Sequence, residues 1–142
     1  MLWSKGTSQQ VIMGRLDFGS DLLESLSELA VRAEIKAGQL TLVGALRGAR
    51  LAVYDMDRQV YNYLDLPGDW ELTSGLGNVS LMEGRPFVHA HLVLGNQRGE
   101  SYSGHLTEGC RVFACEFVIE TFDLDRELKR FHDQETGLTL WR

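Results

Sequence analysis

Three histidines fall close together in the sequence: His89 and His91 in Pro86-Phe87-Val88-His89-Ala90-His91-Leu92-Val93-Leu94, and His105 in Ser103-Gly104-His105-Leu106. Neutral imidazole suits zinc, copper, nickel and iron, and three imidazoles are a common zinc set that leaves a fourth position to water or an exogenous ligand. Pro86 cannot donate to a β-ladder, so it opens a strand more readily than it sits inside one, and the apolar run behind it reads as that strand. Successive strand side chains alternate faces, which puts Phe87, His89, His91 and Val93 on one face and Val88, Ala90, Leu92 and Leu94 on the other. Gly95 to Gly99 reads as a hairpin loop. Pairing Gly95 with Gly99 sets His105 directly opposite His89, about 4.5–5.5 Å away between Cβ atoms. A change of one residue in that register would turn His105 to the other face. His-x-His alone is more simply a polar pair packed in a sheet. With His105 added, a divalent metal, zinc foremost, is the expected occupant of His89, His91 and His105.

The remaining chemistry-bearing residues are weaker candidates. Glu116 lies in an otherwise apolar run and could act as a general base, although an ion pair with Arg47, Arg50 or Arg111 is the commoner fate of such a carboxylate. Glu108 is the other acid near the histidines. His132 sits in a polar segment and reads as solvated, and Ser101 and Ser103 lack the surroundings of a nucleophile elbow. Gly84-Arg85-Pro86 reproduces the core of an AT-hook, but Glu83 and Phe87 stand where basic flanks are needed. A turn entering a strand explains the triplet. No catalytic residue is assigned, and whether the chain is an enzyme stays open.

The elements that must hold the histidines are mostly strands. Val11 to Phe18 passes as a first strand. Ser20 is a plausible N-cap, followed by Asp21 and Glu24 in a first turn and by Leu22, Leu23, Leu26, Leu29, Ala30 and Ala33 at helical spacing, with Gly38 as the stop. Leu40 to Leu46, Arg50 to Tyr54, Val60 to Leu64, Trp70 to Thr73 and Gly75 to Met82 are short β-like runs parted by glycines and by Leu66-Pro67-Gly68. Cys110 to Ile119 is apolar on both faces apart from Arg111 near its start and Glu116, so the strand must be covered on both sides, by helices on one and a partner subunit on the other. Leu124, Leu128 and Phe131 suggest a second, shorter helix after Asp123, and Gly137 to Trp141 a terminal strand. The reading is α+β: a single compact domain over residues 1–142, its core about 12–141, with a mainly antiparallel sheet and flanking helices.

Composition bounds the function classes. A chain of 142 residues can bury roughly 68% of its unfolded surface without disulfide staples. Net charge is −6, from 14 basic and 20 acidic residues, which repels phosphate and makes direct DNA binding an unfavoured class. Cys110 and Cys115 are an odd number of positions apart, so a regular strand sends them to opposite faces, and they read as free, buried thiols. No run approaches the length of a spanning helix and the first residues do not form a signal peptide. A soluble, cytoplasmic protein is expected.

Several motifs together resemble one family. Gly77-Asn78-Val79-Ser80-Leu81, Gly84-Arg85-Pro86-Phe87-Val88-His89-Ala90-His91, and Gly104-His105-Leu106 with Glu108-Gly109 are similar to the PPC domain, the plant-and-prokaryote conserved domain. Gly38-Gln39-Leu40-Thr41 with Gly44-Ala45-Leu46, and Glu135-Thr136-Gly137-Leu138, extend the likeness from about Arg15 to Trp141. The resemblance implies a stand-alone prokaryotic-type domain that assembles as a homotrimer; plant members fuse it to AT-hooks in nuclear regulators. Two positions depart from the pattern. Ser103 replaces the first glycine of the usual Gly-Gly-His, and Gly68-Asp69-Trp70-Glu71-Leu72-Thr73 lies where plant members carry Gly-Arg-Phe-Glu-Ile-Leu, a partner-contact motif whose arginine charge Asp69 reverses, so that contact is not carried over. The function expected is a homotrimeric metal-binding module of regulatory or scaffolding role. The alternatives are a zinc-dependent enzyme acting on a small-molecule ligand and, last, a DNA-binding protein.

Overall fold

The computed structural model describes the whole chain, Met1–Arg142. It contains β1 (Gly6–Leu16), α1 (Leu22–Arg32), β2 (Gly38–Asp55), β3 (Val60–Met82), β4 (Arg85–Gly95), β5 (Ser101–Leu106), β6 (Val112–Leu124), β7 (Lys129–His132) and β8 (Thr139–Trp141). All eight strands join one sheet in the order β1-β6-β2-β5-β4-β3-β7-β8, with β2 also pairing β3. Strands β2, β3, β4 and β5 therefore close a circuit, because β5 returns to β2 at Leu51↔Leu106 and Ala52↔His105. Only β3 and β7 run parallel. The class is α+β with one helix, where the sequence suggests two.

The second helix is a correction with a tertiary cause. β6 continues to Leu124, which pairs with Gly6, and the segment with Phe131 becomes β7, inserted between β3 and β8. Three apolar residues at helical spacing are too few to stabilise an isolated short helix. Strand pairing there also brings Arg130 to buried partners on β3. The short runs between Leu40 and Met82 likewise fuse into β2 and β3. Their glycines are bends, not ends. The β2–β3 register shifts between Leu42 and Gly44 and between Arg47 and Ala49, and Gly48 has φ +84°, which a residue without Cβ adopts at little cost. β1 begins at Gly6, ahead of the expected Val11, and the terminal strand forms over Thr139–Trp141.

Asp21, not Ser20, caps the helix. Its Oδ1 accepts from the backbone N–H of Leu23 at 3.0 Å and of Glu24 at 3.2 Å, while Oδ2 accepts from Gly109 N–H at 2.7 Å. The helix stops at Arg32, short of Gly38, where Ala33 caps it and Glu34 turns the chain with φ 52°. Leu22, Leu26 and Ala30 are fully buried, and α1 packs against β4. They join a core that includes Leu40, Leu46, Leu51, Leu72, Leu92, Leu94, Val112 and Ile119, each large side chain contributing about 1.5–3 kcal/mol by leaving water. Asp21→Ala removes the cap and the tie to Gly109 together. It should lower stability by about 1–2 kcal/mol in urea unfolding, and an unchanged midpoint would show that these bonds do not hold the helix.

Candidate metal centre

The face assignment of β4 holds. Val88, Ala90, Leu92 and Leu94 are buried, His89 is half-buried, and His91 and Val93 are exposed. The hairpin register differs from expectation. Gly95 pairs with Ser101 rather than Gly99, and His105 therefore lies opposite His91, not His89. The cause is Asn96, whose side-chain oxygen accepts from Arg98 N–H at 3.0 Å and Glu100 N–H at 3.1 Å, closing a longer loop with a side-chain turn. The displacement is two residues, so His105 keeps its face. Ring centroids stand 5.2 Å apart for His89–His91, 5.0 Å for His89–His105 and 5.4 Å for His91–His105.

One ligand nitrogen from each ring lies within 4.8 Å of the others, and no carboxylate or thiol joins them. Tetrahedral zinc with Zn–N of about 2.0–2.1 Å needs its nitrogens about 3.3 Å apart, a gap that ring rotations of ordinary size can close. The donor set fits a borderline divalent metal. Close backbone approach makes the arrangement possible. A Cβ on Gly104 would lie 2.9 Å from the Ala52 carbonyl oxygen, and one on Gly77 would collide with the His89 carbonyl. Ser103, the departure from the resemblance noted above, is exposed opposite Val93 and leaves Gly104 in place.

Arg130 is the site residue that the sequence did not reveal. It is 8% exposed. Its guanidinium donates to Ser80 Oγ (2.9 Å), Asn78 Oδ1 (2.9 Å) and the Thr139 carbonyl (3.0 Å), and its Nη2 lies 3.3 Å from His89 Nδ1. Phe87 and Trp141 flank it, each ring centroid 5.3 Å from the guanidinium carbon. Arginine has no acceptor, so in metal-free protein His89 Nδ1 takes that hydrogen bond and Nε2 carries the ring proton; one neutral ring cannot accept there and ligate a metal at once, so metal binding replaces this contact. Asn78 opposite His89, and Ser80 two residues on, are the only sequence traces of this pocket. Burial, then the Arg130 charge, then His105 and His91 push the His89 pKa down to about 4. Burial, then His91 and Arg130 lower that of His105. Both rings are neutral at pH 7, the form a metal requires.

The other candidates lie elsewhere. Glu116 is exposed on β6 beside Arg15 and Val43 and makes no ion pair. Arg47 pairs instead with Asp69 at 3.6 Å and Arg50 with Asp65 at 3.5 Å, while Arg111 donates to the Gly19 carbonyl. The expected buried pair fails because β6 is covered on one face only, leaving Phe113 48% exposed. Glu108 shares a cleft of about 510 Å³ with His105 and Tyr61, and His132 is exposed on β7. Cys110 and Cys115 are buried and free. Their expected placement on opposite faces of one strand does not hold, since Cys110 precedes β6. Burial raises both thiols to about pH 11, which keeps them protonated. No helix is long and apolar enough to cross a membrane.

A transverse row of paired residues joins the sheet to the histidines: Met13 with Val118, Val118 with Thr41, Thr41 with Leu76, Leu76 with His91, and His91 with His105. Residues 3–123 match the family model described as the Plants and Prokaryotes Conserved (PCC) domain. The chain belongs to this family. The chain is similar to a metal-containing protein of Archaeoglobus fulgidus, at 34% identity and TM-score 0.94 with 100% of this chain and 99% of that one covered. It is also similar to a plant- and prokaryote-conserved protein of Pyrococcus horikoshii, at 30% identity and TM-score 0.93 with 100% and 97% covered. A curated relative, Bifunctional protein GlmU of Synechococcus sp. (strain JA-2-3B'a(2-13)), is 29% identical over 126 residues, which is 87% of this chain. The PCC chain spans 18% of that relative's length.

The depressed His89 pKa carries a stability consequence for metal-free protein. Folded His89 takes its proton near pH 4, whereas an unfolded imidazole takes it near about 6.5. Between those values the unfolded chain binds more protons, so stability is full above about pH 6.5 and is lost as pH falls through 4. In chelator-stripped protein, His89→Gln should show a shallower fall in urea midpoint between pH 7 and pH 4.5 than the parent. Parallel slopes would rule out His89 as the titrating group.

Proposed function

We propose that the chain is a metal-binding module that holds one divalent cation, zinc foremost, on His89, His91 and His105, and serves a regulatory or scaffolding role as a homotrimer. The observation that carries the metal reading is the convergence of three imidazole nitrogens within 4.8 Å, without a competing carboxylate or thiolate. The likeness to a metal-containing protein of Archaeoglobus fulgidus supports it. When bound, the metal would supply Lewis acidity and one position open to an exogenous ligand. The chain's own part is to hold the rings neutral and oriented. Burial and the nearby Arg130 charge keep His89 unprotonated, strand pairing sets His105 beside His91, and the core beneath β4 fixes both. The net charge of −6 weighs against a duplex DNA partner.

Assembly is supported by the apolar outer face. Met13 is 72% exposed, Leu76 60%, Val43 52% and Phe113 48%, and Met13 and Leu76 belong to the row that ends at the histidines. A second copy covering this face would remove it from water, and a three-fold ring requires a heterologous contact that closes.

Metal analysis of untagged protein tests the site. His105→Ala should lose the bound metal while keeping the parent's circular dichroism. Unchanged stoichiometry would overturn the assignment. For the assembly, light scattering at micromolar concentration should return the trimer mass, and a monomer mass would refute it.

A further inference from the structure

The three histidines open into a cleft of about 1010 Å³, far larger than a water molecule or a simple inorganic ion needs. Its walls come from three parts of the chain: the end of the β2–β3 hairpin, with Val53, Met56 and Tyr61; the segment from Glu135 to Leu138; and the surface of β4 and β5. Met56 is 83% exposed and Val53 52%, an apolar lining held out to solvent beside a polar centre. The segment opposite is fastened. Tyr54 Oη donates to the Thr136 carbonyl at 2.8 Å, and Gln59 Nε2 donates to the Glu135 carbonyl at 3.0 Å. The charge balance favours an anion. Arg130 is buried against His89 and forms no ion pair with a carboxylate, and a divalent metal on the histidines would add two positive charges. Glu135 is the only acid in the lining. Tyr61, whose ring centroid is 5.5 Å from that of His105, offers a hydroxyl, and burial with the neighbouring Tyr54 and Tyr63 raises its pKa and keeps its proton in place.

We infer that the cleft binds a small organic oxyanion, a carboxylate or a phosphate monoester, whose charged head completes the metal's coordination while its apolar body lies against Val53 and Met56. This rests on the metal reading above. The three-histidine set leaves a coordination position for the head, the buried guanidinium adds to the attraction, and the Tyr61 hydroxyl can donate to an oxygen of the ligand. The body is selected by area removed from water, not by directional bonds. A family of chain lengths should therefore bind in graded order.

The experiment uses the assembled protein loaded with cobalt, with metal content measured first and ligand binding read from the visible cobalt absorption and by calorimetry. Acetate, butyrate, hexanoate and octanoate are titrated, with octyl phosphate as the second head group and octanol as the uncharged control. Affinity should rise with chain length, by at most about fourfold per methylene, and octanol should bind far more weakly than octanoate. Comparison of octanoate with octyl phosphate decides the head. The double variant Val53→Asp with Met56→Asp should keep its cobalt and lose the chain-length dependence. Equal affinity for acetate and octanoate, or equal affinity for octanol and octanoate, would overturn the inference while leaving the metal site standing. Failure to bind cobalt would overturn both. If the double variant falls to a smaller assembly with unchanged carboxylate affinities, a second copy of the chain occupies the cleft and the inference is refuted.

Discussion

Val88, Ala90, Leu92 and Leu94 are each 6% exposed or less, and their burial fixes more than the core. A slip of β4 by one residue against either neighbour would drive His89 and His91 into the space beneath the sheet and carry four apolar side chains into water. At about 1.5–3 kcal/mol for each large side chain, that slip would remove a large part of a typical domain's net stability. The same alternation that anchors α1 on one side therefore presents imidazoles on the other. Everything chemically distinctive in the chain depends on this strand keeping its register, and the closed circuit of β2, β3, β4 and β5 makes a slip in β4 a slip against two partners at once.

Arg130 is the second constraint. A buried guanidinium is costly unless its donors are met, and here neutral oxygens and an imidazole meet them, with aromatic rings stacked on its faces. The group ties β7 and β8 to β3 and β4 through a single side chain. It also lowers the basicity of His89, so the anchor of the sheet's edge and the tuning of the centre are one interaction. Polar anchoring of this kind specifies a pairing more sharply than apolar contact, because each misplacement leaves a donor unpaired in the interior.

The faces of β4, the antiparallel character of the sheet and the grouping of His89, His91 and His105 were legible from alternation and from Pro86. Alternation is a local property, fixed by backbone geometry two residues at a time. The β7 segment was not legible, because Arg130 is held by Ser80 and Asn78 some fifty positions away, and nothing in Lys129-Arg130-Phe131-His132 advertises that contact. The glycines of β2 read as breaks from sequence alone, since a bulge and a turn ask for the same residue. Ser20 and Asp21 are both good caps, and the choice between them was made by Gly109, which hydrogen-bonds the Asp21 carboxylate from far along the chain. Glu116 misled because an apolar strand can be covered on one side by its own fold while its other face remains exposed.

The turn between β4 and β5 has a consequence for how such a chain can vary. The pairing observed and the pairing first expected differ by two residues, yet both leave His105 on the side of His89 and His91. Parity, not exact alignment, is what the centre requires of its hairpin. Drift in the β4–β5 register should therefore be filtered in even steps, since displacements of two exchange one histidine neighbour for another while displacements of one invert the ring. For anyone rebuilding the segment from Asn96 to Glu100, the quantity to preserve is the parity of the pairing that flanks the turn, whatever number of residues the turn itself contains.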